Sequence, residues 1–437
     1  MNQRKRILLF ATKLGYQTRS FQSAADSLNV EIAYITDRCS RMDDPWNDGA
    51  LAVHFELPEG AAARVLEAQH GLPVDAVLAV GDRPTVAAGY VARALGLPHN
   101  HPASMEACRN KLRMREVLRD AGLPVPWFQS MKLDPLPEPS FMGIRYPCVL
   151  KPLSLSASQG VMRANNREEF LAGAARLKRL LDSAEIRATR DQHRHEMLVE
   201  GYLDGAEIAV EALLTRGELR LLTIFDKPDP LEGPYFEESI YVTPPRLSPT
   251  DQRAVETSLL RSVRALGLTH GSVHAEFRLN EQGVWPIEVA ARPIGGLCAR
   301  ALRFVVPDGN KHIGLEELLL RHSLELPGYD WPREQQASGV MMIPVPRSGV
   351  LEKVEGEAEA RAIPAITDLE ITARLHDFIA AWPEGSSYLG FLFARAANPS
   401  EVEDALREAH RKLRFALTPR LPVEHPLTHA VPPTDRA

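Results

Sequence analysis

Two glutamates in a predicted β-hairpin are the strongest candidates for chemistry in this chain of 437 residues. The hairpin lies in the segment HAEFRLNEQGVWPIEVAARPIGG, residues 274–296, where apolar and polar residues alternate on both sides of a short loop. Alternation of this kind is typical of strands with one apolar face. The glutamates, Glu276 and Glu288, precede Arg292, which indicates a metal site with a cationic neighbour. The alternative is a solvated surface hairpin.

The loop between the two strands predicts how the glutamates pair. A three-residue loop over 281–283, ending in a left-handed glycine, is a common hairpin type with a bulge. It would place Asn280 opposite Val284 and therefore Glu276 opposite Glu288. Like charges directly opposite each other destabilise a sheet, so we expect a cation between them. A divalent cation such as magnesium prefers oxygen ligands and commonly binds phosphates as well.

A lysine at the end of a predicted strand begins a second candidate site. In VLKPLSLSASQGV, Lys151 is followed by a serine-rich loop that closes at Gly160. Backbone N–H groups, hydroxyls and a lysine ammonium can all donate to phosphate. The serines of this loop are Ser154, Ser156 and Ser158. A flexible polar turn is the alternative, and the segment is not a Walker loop because no GK[ST] sequence leads from it into a helix.

A third candidate follows the predicted strand that ends at Glu200. In MLVEGYLDGAEIAVEAL, a four-residue turn separates this strand from a second strand that carries Glu207 and Glu211 on one face. The backbone N–H and C=O groups of such a turn can bind a flat purine, and a carboxylate can bind ribose hydroxyls. Taken alone, Glu207 and Glu211 would be ordinary solvated strand residues.

The bulk composition argues against several classes of protein. The net charge is −6 with both signs interspersed, so we expect no broad electrostatic surface for nucleic acid or anionic membranes. No run approaches the roughly 20 apolar residues of a membrane span. The apolar run near the start ends at Lys13 without a cleavage site, and the scattered cysteines, which form no CxxC pair, favour a reducing compartment. These features predict a cytoplasmic protein.

The elements that would position the candidate residues follow from the periodicity. Residues 5–100 alternate strand and helix signals, which predicts a small parallel sheet covered by helices and an α/β fold class. The loop after the first strand lacks the glycine fingerprint of dinucleotide sites, so no NAD site is predicted. Residues 227–246 are rich in proline, glycine and acidic residues and predict a long loop. From Ser338 onward the pattern indicates a β-rich module with a final helix over 400–413.

The order of these motifs resembles that of the ATP-grasp superfamily. The resemblance rests on Lys111, the KP pair at 151, the small-residue loop, VEGYL and the hairpin with two glutamates and an arginine, and it runs over roughly 5–415. The chain looks closest to the carboxylate–amine ligases that include bacterial L-amino-acid ligases (dipeptide synthetases). The segments ASGVMMIPVPRSGVL and YLGFLFARA resemble the C-terminal lobe of those ligases and of biotin carboxylase.

The resemblance implies an ATP-grasp fold, α/β in class and α+β overall. It would comprise a Rossmann-like parallel N-terminal domain, a two-lobed ATP-binding core and a β-rich C-terminal module. The implied boundaries are 1–105 for the N-terminal domain, 106–325 for the ATP-grasp domain with a mobile lid lobe at about 145–205, 326–420 for the C-terminal module and 421–437 for a proline-rich tail.

The same resemblance implies that ATP and Mg²⁺ are the cofactors, with Mn²⁺ as an alternative ion. Lys111 and Lys151 would hold the ATP phosphates, and the loop over 153–160 would fold over the γ-phosphate as a lid. Arg292 would stabilise the charge on the transferring phosphoryl group and on an acyl phosphate, so that Arg292 and Lys151 are the implied catalytic residues. This agrees with the demands of phosphoryl transfer, which are mainly positioning and charge neutralisation.

The nucleoside part of ATP would lie against the third candidate segment. Glu200 and the backbone of Tyr202 and Leu203 would meet adenine, and Glu207 would meet the ribose. These roles are implied by the resemblance rather than by the alternation of the strands.

Glu276 and Glu288 would bind the metal ion in this resemblance. The superfamily commonly has Asn two residues after the second glutamate, whereas this chain has Ala290. A second magnesium site would therefore lack one oxygen ligand. The loop after Lys151 also carries serines where many relatives carry glycines, which would stiffen the lid.

The substrate end of the site departs from the pattern as well. Amino-acid ligases often carry Glu followed three residues later by His in the loop that contacts the amino substrate. Here Glu238 is present, but Tyr241 takes the histidine position. Arg292, Gly295 and Gly296 complete the implied substrate-binding set, since glycines allow a close backbone approach to a ligand.

The predicted function is ATP-dependent ligation of a small-molecule carboxylate to an amine, with an acyl phosphate as intermediate and ADP and phosphate as products. The amine is expected to belong to an amino acid, giving a dipeptide or related amide. A thiol acceptor, a carboxylase activity and a non-catalytic ATP sensor are the alternatives. No nucleic acid or membrane partner is expected, and the resemblance allows a homodimer.

Three other polar residues near the candidate segments can be explained without a direct role in chemistry. His274 could support the neighbouring glutamate or serve only as a structural histidine. Lys227 could contact phosphate or substrate, but a solvated loop lysine is the expectation. Asp82, near the end of a strand, is expected only to cap the helix that follows it.

Overall fold

The computed structural model describes residues 4–12, 16–37, 50–135, 143–307 and 311–419 of the chain. Their strands form five separate sheets, and the helices pack between and around them. No helix within these residues is both long and apolar enough to cross a membrane. The predicted tail, 421–437, lies outside the described residues.

The N-terminal unit is a four-stranded parallel sheet in the order β3-β2-β1-β4. Ile7 and Leu9 of β1 belong to an apolar cluster with the first helix, while Leu8 and Phe10 belong to a second cluster on the opposite face. A strand that is buried on both faces requires an unbroken apolar run, which explains the sequence RILLFA. The elements are β1 (Arg6–Ala11), α1 (Tyr16–Leu28), β2 (Glu31–Thr36), β3 (Leu51–Ala52), α2 (Pro58–Ala68), β4 (Ala76–Val80) and α3 (Thr85–Ala94).

Two short helices connect this unit to the next one, namely α4 (Pro102–Arg109) and α5 (Lys111–Asp120). Asn110 separates them, and its side chain accepts a hydrogen bond from the backbone N–H of Arg113 at 3.1 Å. This is an N-cap, which fixes where α5 begins. Lys111 is therefore held in the first turn of α5, at a defined end of the helix.

A four-stranded antiparallel sheet in the order β5-β8-β6-β7, here named the lid lobe, contains strands of the segment 145–205 together with β5, which precedes that segment. The helix that follows β7 covers one face of this sheet, with Phe170 and Leu177 fully buried. Val149 pairs with Glu200 across the β6–β8 ladder, so Lys151 and Glu200 lie close together. The elements are β5 (Phe128–Lys132), β6 (Cys148–Pro152), β7 (Met162–Ala164), α6 (Arg167–Leu181), α7 (Ala184–Thr189) and β8 (Glu196–Gly201).

An eight-stranded antiparallel sheet forms the centre of the molecule, in the order β13-β12-β9-β10-β11-β16-β20-β18. The strands before the C-terminal module are β9 (Ala206–Thr215), β10 (Glu218–Asp226), β11 (Ile240–Thr243), β12 (Gly271–Asn280) and β13 (Gly283–Ala290). The helices are α8 (Pro249–Ala265) and α9 (Leu315–Ser323), and a small ladder pairs β14 (Arg303–Val305) with β15 (His312–Gly314).

The sequence interpretation of 227–246 as one long loop is wrong at its C-terminal end. The segment contains β11, which is fully buried and joins β10 to the strands of the C-terminal module. Its sequence, IYVT, has strong β propensity, but the proline, glycine and acidic residues around it dominate a composition-based reading. The central sheet therefore continues without a break from the ATP-grasp strands into the C-terminal strands.

The C-terminal module adds three strands to the central sheet and a three-stranded sheet of its own, β19-β17-β21. Its last helix carries the strongly amphipathic sequence PSEVEDALREAHRK and packs Val402 and Leu406 against the central sheet. The elements are β16 (Ala337–Ile343), β17 (Gly349–Glu355), α10 (Glu357–Arg361), β18 (Ile366–Ile371), β19 (Phe378–Ile379), β20 (Gly390–Ala396), α11 (Pro399–Lys412) and β21 (Arg414–Thr418).

Candidate active site

A cavity of about 1110 Å³ lies where the N-terminal sheet, the lid lobe, the central sheet and the C-terminal module meet. Of the residues to which the resemblance assigned a role in the site, it is lined by all except Ser154 and Gly160. The lining residues from that set are Lys111, Lys151, Ser156, Ser158, Glu200, Tyr202, Leu203, Glu207, Glu238, Tyr241, Glu276, Glu288, Arg292, Gly295 and Gly296.

The two nominated residues outside the cavity lining shape the lid loop instead. The hydroxyl of Ser154 donates a short hydrogen bond to the carboxylate of Asp191. Gly160 has φ +75°, and a Cβ atom there would approach a methyl of Leu177 to 2.9 Å. Its backbone N–H donates to the carbonyl of Pro383 in the C-terminal module at 2.8 Å. Both residues therefore act on the conformation of the loop.

The glutamate pair faces across the β12–β13 ladder as predicted, but the predicted loop is wrong. Asn280 pairs with Gly283 rather than with Val284, so the turn contains two residues instead of three. If the pairing continued regularly from this turn, Glu276 would face Ile287 rather than Glu288. A bulge at Ile287 adds one residue to β13 and restores the pairing of Glu276 with Glu288.

Glu276 is surrounded by cationic side chains. Nε2 of His274 lies 3.4 Å from Oε1 of Glu276, and Nδ1 of the same ring makes a short contact with Glu211. Burial lowers the pKa of His274, but the carboxylate of Glu211 outweighs burial and raises that pKa to about 9. Burial alone would raise the pKa of Glu276, but Lys227 and His274 hold that pKa well below its ordinary value. Glu276 is thus an ionised carboxylate, and His274 supports it.

Lys227 is buried, contrary to the solvated loop lysine that the sequence predicted. Its Nζ lies 2.9 Å from Oε1 of Glu207 and 3.4 Å from Oε1 of Glu276, and it makes a short contact with Glu238. Burial lowers the pKa of Lys227, but Glu207 and Glu238 raise it well above the ordinary value. The three carboxylates form a cluster that could hold a cation, and the ammonium already neutralises part of its charge. One feature of the sequence could have indicated this burial, namely that Lys227 directly follows the buried strand β10.

Glu238 and Tyr241 interact with each other at the side of this cluster. The Tyr241 hydroxyl donates to Oε2 of Glu238 at 2.8 Å, and the tyrosine is almost fully buried. Burial raises the pKa of Glu238 to about 7, and the neighbouring Glu276 contributes in the same direction. The Glu238 carboxyl therefore has two partners, the Tyr241 hydroxyl and the Lys227 ammonium, and burial raises its pKa in spite of the ammonium.

The two predicted phosphate lysines are held by different partners. Nζ of Lys151 lies 2.5 Å from Oε1 of Glu200, which is also paired with Nε of Arg115 at 2.8 Å. Burial raises the pKa of Glu200, but Arg115 and Lys151 outweigh it and lower that pKa to about 2. Nζ of Lys111 donates to the carbonyl of Leu155 in the lid loop at 2.7 Å and lies 3.4 Å from Oε2 of Glu288. Both ammonium groups thus point into the cavity from fixed anchors.

Arg278 organises the segment predicted to meet the nucleoside. Its Nε donates to Oε2 of Glu207 at 2.9 Å, and its Nη1 donates to the carbonyl of Leu203 at 2.6 Å and to the Tyr202 hydroxyl at 3.2 Å. The guanidinium of Arg163 lies 4.0 Å from the centre of the Tyr202 ring. The alternation of β12 placed Arg278 on its polar face, but no sequence pattern showed that it would be buried at this site.

Arg292 pairs with a residue of the N-terminal unit. Its Nε and Nη2 lie 2.9 and 3.1 Å from the two carboxylate oxygens of Asp82, which follows β4. Burial lowers the pKa of Arg292, but Asp82 raises it above the ordinary value, so the guanidinium stays charged. The prediction that Asp82 only caps a helix is wrong, because its side chain binds Arg292 and α3 has no side-chain cap. Only the backbone carbonyl of Asp82 accepts from the hydroxyl of Thr85.

Gly295 and Gly296 bring the backbone after Arg292 to the cavity wall. Gly296 has φ +62°, and a Cβ atom there would lie 3.0 Å from the ring of Phe391. The left-handed conformation and the close ring both favour glycine at this position.

Comparison with known protein families agrees with this geometry. Residues 144–301 match an ATP-grasp domain, and residues 341–418 match L-amino acid ligase C-terminal domain 2. The protein therefore contains an ATP-grasp domain followed by the C-terminal domain of L-amino acid ligases, as the order of the motifs predicted.

Individual relatives are similar over most of the chain. The crystal structure of L-amino acid ligase from Bacillus licheniformis superimposes with a TM-score of 0.79 at 26% identity, covering 95% of this chain and 100% of that one. The uncharacterized protein y4rH of Sinorhizobium fredii is 28% identical over 338 residues, or 76% of this chain, and the match spans 66% of that relative's length, just under two thirds. Biotin carboxylase from Campylobacter jejuni shares the fold, with a TM-score of 0.62 at 15% identity over 95% of this chain and 92% of its own.

Proposed function

We propose that this protein is an ADP-forming carbon–nitrogen ligase that activates a carboxylate with ATP and couples it to an amine, in particular that of an amino acid. The observation that carries the proposal is the convergence, in one cavity, of Lys111, Lys151, the facing pair Glu276 and Glu288, and Arg292. Anchored cations beside an acidic pair match the demands of phosphoryl transfer better than those of a simple binding pocket. The similarity to L-amino acid ligases supports the choice of a C–N bond.

In this proposal the adenine of ATP lies against the backbone of Tyr202 and Leu203, and the ribose lies near Glu207. The resemblance implied that Glu200 meets adenine, but we propose a supporting role for it instead, because Arg115 and Lys151 both bind its carboxylate. Glu200 then fixes Lys151 for the phosphates, while Lys111 reaches them beside the lid loop.

The residues fit a hard divalent cation such as Mg²⁺ or Mn²⁺. The facing carboxylates of Glu276 and Glu288 supply oxygen donors in the cavity, which is the ligand type that these ions prefer. Ala290 offers no side-chain oxygen, so a second ion would need ligands from elsewhere. When bound, the ion neutralises phosphate charge and orients the transferring group.

The chemical steps follow from the chain's own groups. A carboxylate oxygen of the first substrate attacks the γ-phosphorus of ATP, ADP leaves, and an acyl phosphate forms. Arg292 binds the developing charge on the phosphoryl oxygens. The amine of the second substrate then attacks the acyl carbon, phosphate leaves with the original carboxylate oxygen, and the amine loses a proton. The lid and the C-terminal module exclude water, which would otherwise hydrolyse the acyl phosphate.

The proposed substrates are small molecules that bind beside Gly295 and Gly296, which line the cavity. Glu238, held by Tyr241 and Lys227, is the carboxyl group best placed to bind the amino substrate. We propose a cytoplasmic protein that acts without nucleic acid or membrane partners and that can form a homodimer.

The proposal is tested by incubating the protein with ATP, Mg²⁺ and mixed pools of carboxylates and amino acids, followed by mass spectrometry of the products. We expect ADP, phosphate and a condensed amide to appear together in equal amounts. Formation of AMP and pyrophosphate, or ATP binding without turnover on any pool, would reject the proposed function. The Arg292→Lys variant serves as a control, because it keeps a positive charge but loses the planar fork that can bind two oxygens.

A further inference from the structure

The guanidinium of Arg292 is fixed by a carboxylate from a different part of the fold. Asp82 follows β4 of the N-terminal sheet, and Arg292 follows β13 of the central sheet, 210 residues later. Both carboxylate oxygens of Asp82 are engaged, at 2.9 Å by Nε and at 3.1 Å by Nη2. Only 11% of the Arg292 side chain and 14% of the Asp82 side chain are exposed, so water screens this ion pair weakly.

The pairing leaves part of the guanidinium available. Arg292 also donates from Nη1 to the carbonyl of Pro293 at 3.1 Å. A guanidinium has five N–H groups, and these contacts engage one on Nε, one on Nη1 and one on Nη2. One N–H on Nη1 and one on Nη2 remain, which is the arrangement that binds two oxygens of a phosphoryl group at once.

Asp82 is itself held firmly at the edge of the parallel sheet. Gly81 before it has φ +86°, which turns the chain sharply after β4. The carbonyl of Asp82 accepts from the backbone N–H of Thr85 at 3.3 Å and from its hydroxyl at 2.7 Å. The carboxylate therefore comes from a fixed point of the N-terminal unit and lines the same cavity as Arg292.

We propose that Asp82 is a positioning residue for phosphoryl transfer: it binds the inner edge of the Arg292 guanidinium and aims the outer edge at the transferring phosphoryl group. This inference rests on the proposed function. Through this residue the N-terminal unit takes part in the phosphoryl-transfer site. Asp82 acts only through Arg292, because its own negative charge would repel phosphate. The competing explanation is that the ion pair only holds two parts of the fold together.

Asn100 provides a matched control for that explanation. Its side-chain oxygen accepts from the backbone N–H groups of Thr269 and His270 at 2.7 and 2.9 Å, so it also joins the N-terminal region to the central sheet. Asn100 does not line the main cavity. Replacing it therefore loosens the same junction without disturbing Arg292.

The test compares binding of ADP·Mg²⁺ with binding of ADP·Mg²⁺ plus aluminium fluoride, an analogue of the phosphoryl group in transfer, by calorimetry. This probe needs neither substrate to be known. Asp82→Asn should leave the affinity for ADP unchanged but reduce the gain from aluminium fluoride by roughly 10- to 100-fold, because the guanidinium is no longer aimed. Asp82→Glu should restore part of the gain. In a protein that already carries Arg292→Lys, the further change Asp82→Asn should reduce the gain from aluminium fluoride only slightly.

The outcomes separate the two claims. Asn100→Ala should lower the unfolding temperature yet keep the full gain from aluminium fluoride. An undiminished gain in Asp82→Asn, or an equal loss in Asn100→Ala, would overturn the positioning role while leaving the proposed function intact. A wild-type protein that binds no ADP·Mg²⁺ would reject the proposed function and this inference with it.

Discussion

Glu276 and Glu288 lie directly opposite each other on β12 and β13, and a single bulged residue, Ile287, brings them into register. Two ionised carboxylates in this arrangement repel each other, so each needs a cation of its own. Glu276 has two cationic neighbours, Lys227 and His274, each at 3.4 Å, whereas Glu288 pairs among the described residues with one, Lys111, also at 3.4 Å. The two glutamates are therefore not equivalent before a metal ion binds.

Substitution of the two glutamates by glutamine should reveal this asymmetry. Glu276→Gln removes a partner of two buried cations and should destabilise the protein by about 1–2 kcal/mol. Glu288→Gln relieves repulsion and should leave the free energy of unfolding within about 0.5 kcal/mol of wild type. Both variants should lower ADP formation by orders of magnitude. Equal destabilisation by the two changes, measured by thermal unfolding, would contradict the asymmetry.

The buried ammonium of Lys227 should be essential for folding stability. Lys227→Met would leave Glu207, Glu238 and Glu276 without their shared cation and should cost about 3–5 kcal/mol in denaturant unfolding. A second change, Glu238→Gln, should recover part of that loss because it removes one uncompensated charge. Lys353→Ala is the control, since the ion pair of Lys353 is exposed and its loss should leave the free energy of unfolding nearly unchanged. No recovery in the double variant would argue against the cluster.

The C-terminal module clasps the lid lobe through four contacts, of which the first is the hydrogen bond from the backbone N–H of Gly160 to the carbonyl of Pro383. Gln159 donates to the carbonyl of Glu384 at 2.7 Å, and Trp382 donates from Nε1 to the carbonyl of Ala157 at 3.0 Å. Arg176 of α6 binds both carboxylate oxygens of Glu384 at 2.5 and 2.7 Å. This pair is about one third exposed, so its own contribution to global stability is small.

Breaking this pair should loosen the lid without unfolding the protein. Arg176→Ala should increase hydrogen exchange of the backbone over 155–160 and raise the KM for ATP, with the unfolding temperature nearly unchanged. Arg216→Ala, which breaks an exposed pair with Glu325 far along the chain, should change none of these quantities. Unaltered exchange over 155–160 in Arg176→Ala would show that the clasp does not depend on this pair.

Stability should fall in mild acid because of a buried histidine. Burial and the stacked ring of His270 lower the pKa of His322 to about 4, and its Nε2 lies 3.0 Å from the hydroxyl of Thr215. The unfolded chain takes up a proton near the ordinary value of about 6.5, while the folded chain resists protonation down to about 4. Above about pH 6.5 this histidine therefore does not reduce the free energy of unfolding. As the pH falls from there toward the folded-state pKa of about 4, the free energy of unfolding declines.

The matching experiment compares denaturant unfolding at pH 7 and pH 5. His322→Gln should remove about 2 kcal/mol of the acid-dependent loss at pH 5. His312→Gln, at an exposed position, is measured in parallel as the control for replacing one histidine. An identical pH dependence in wild type and His322→Gln would show that this histidine does not titrate as described.

Local patterns in the sequence predicted much of the fold. The alternating signals of residues 5–100 predicted a parallel sheet covered by helices, and the pattern after Ser338 predicted a final helix over 400–413; the structure contains both. The facing glutamates were predicted correctly from an incorrect turn, because Ile287 compensates for the shorter loop. Bulges of this kind leave little trace in an alternating pattern.

Partnerships across the chain could not be predicted in this way. Asp82 meets Arg292, and Lys227 meets Glu276, only because separate strands and loops converge on one cavity. No local periodicity encodes such distances. The short strand β11 was missed for a related reason, since its burial comes from neighbours on both sides rather than from its own flanking sequence.

The most direct test of the proposed chemistry is the fate of an isotopic label. The carboxylate substrate identified by product screening is labelled with ¹⁸O in its carboxyl group and converted in the presence of ATP, Mg²⁺ and the amine. Ligation through an acyl phosphate predicts that one labelled oxygen per amide formed appears in inorganic phosphate. Phosphate without label, or label recovered in AMP, would contradict the account.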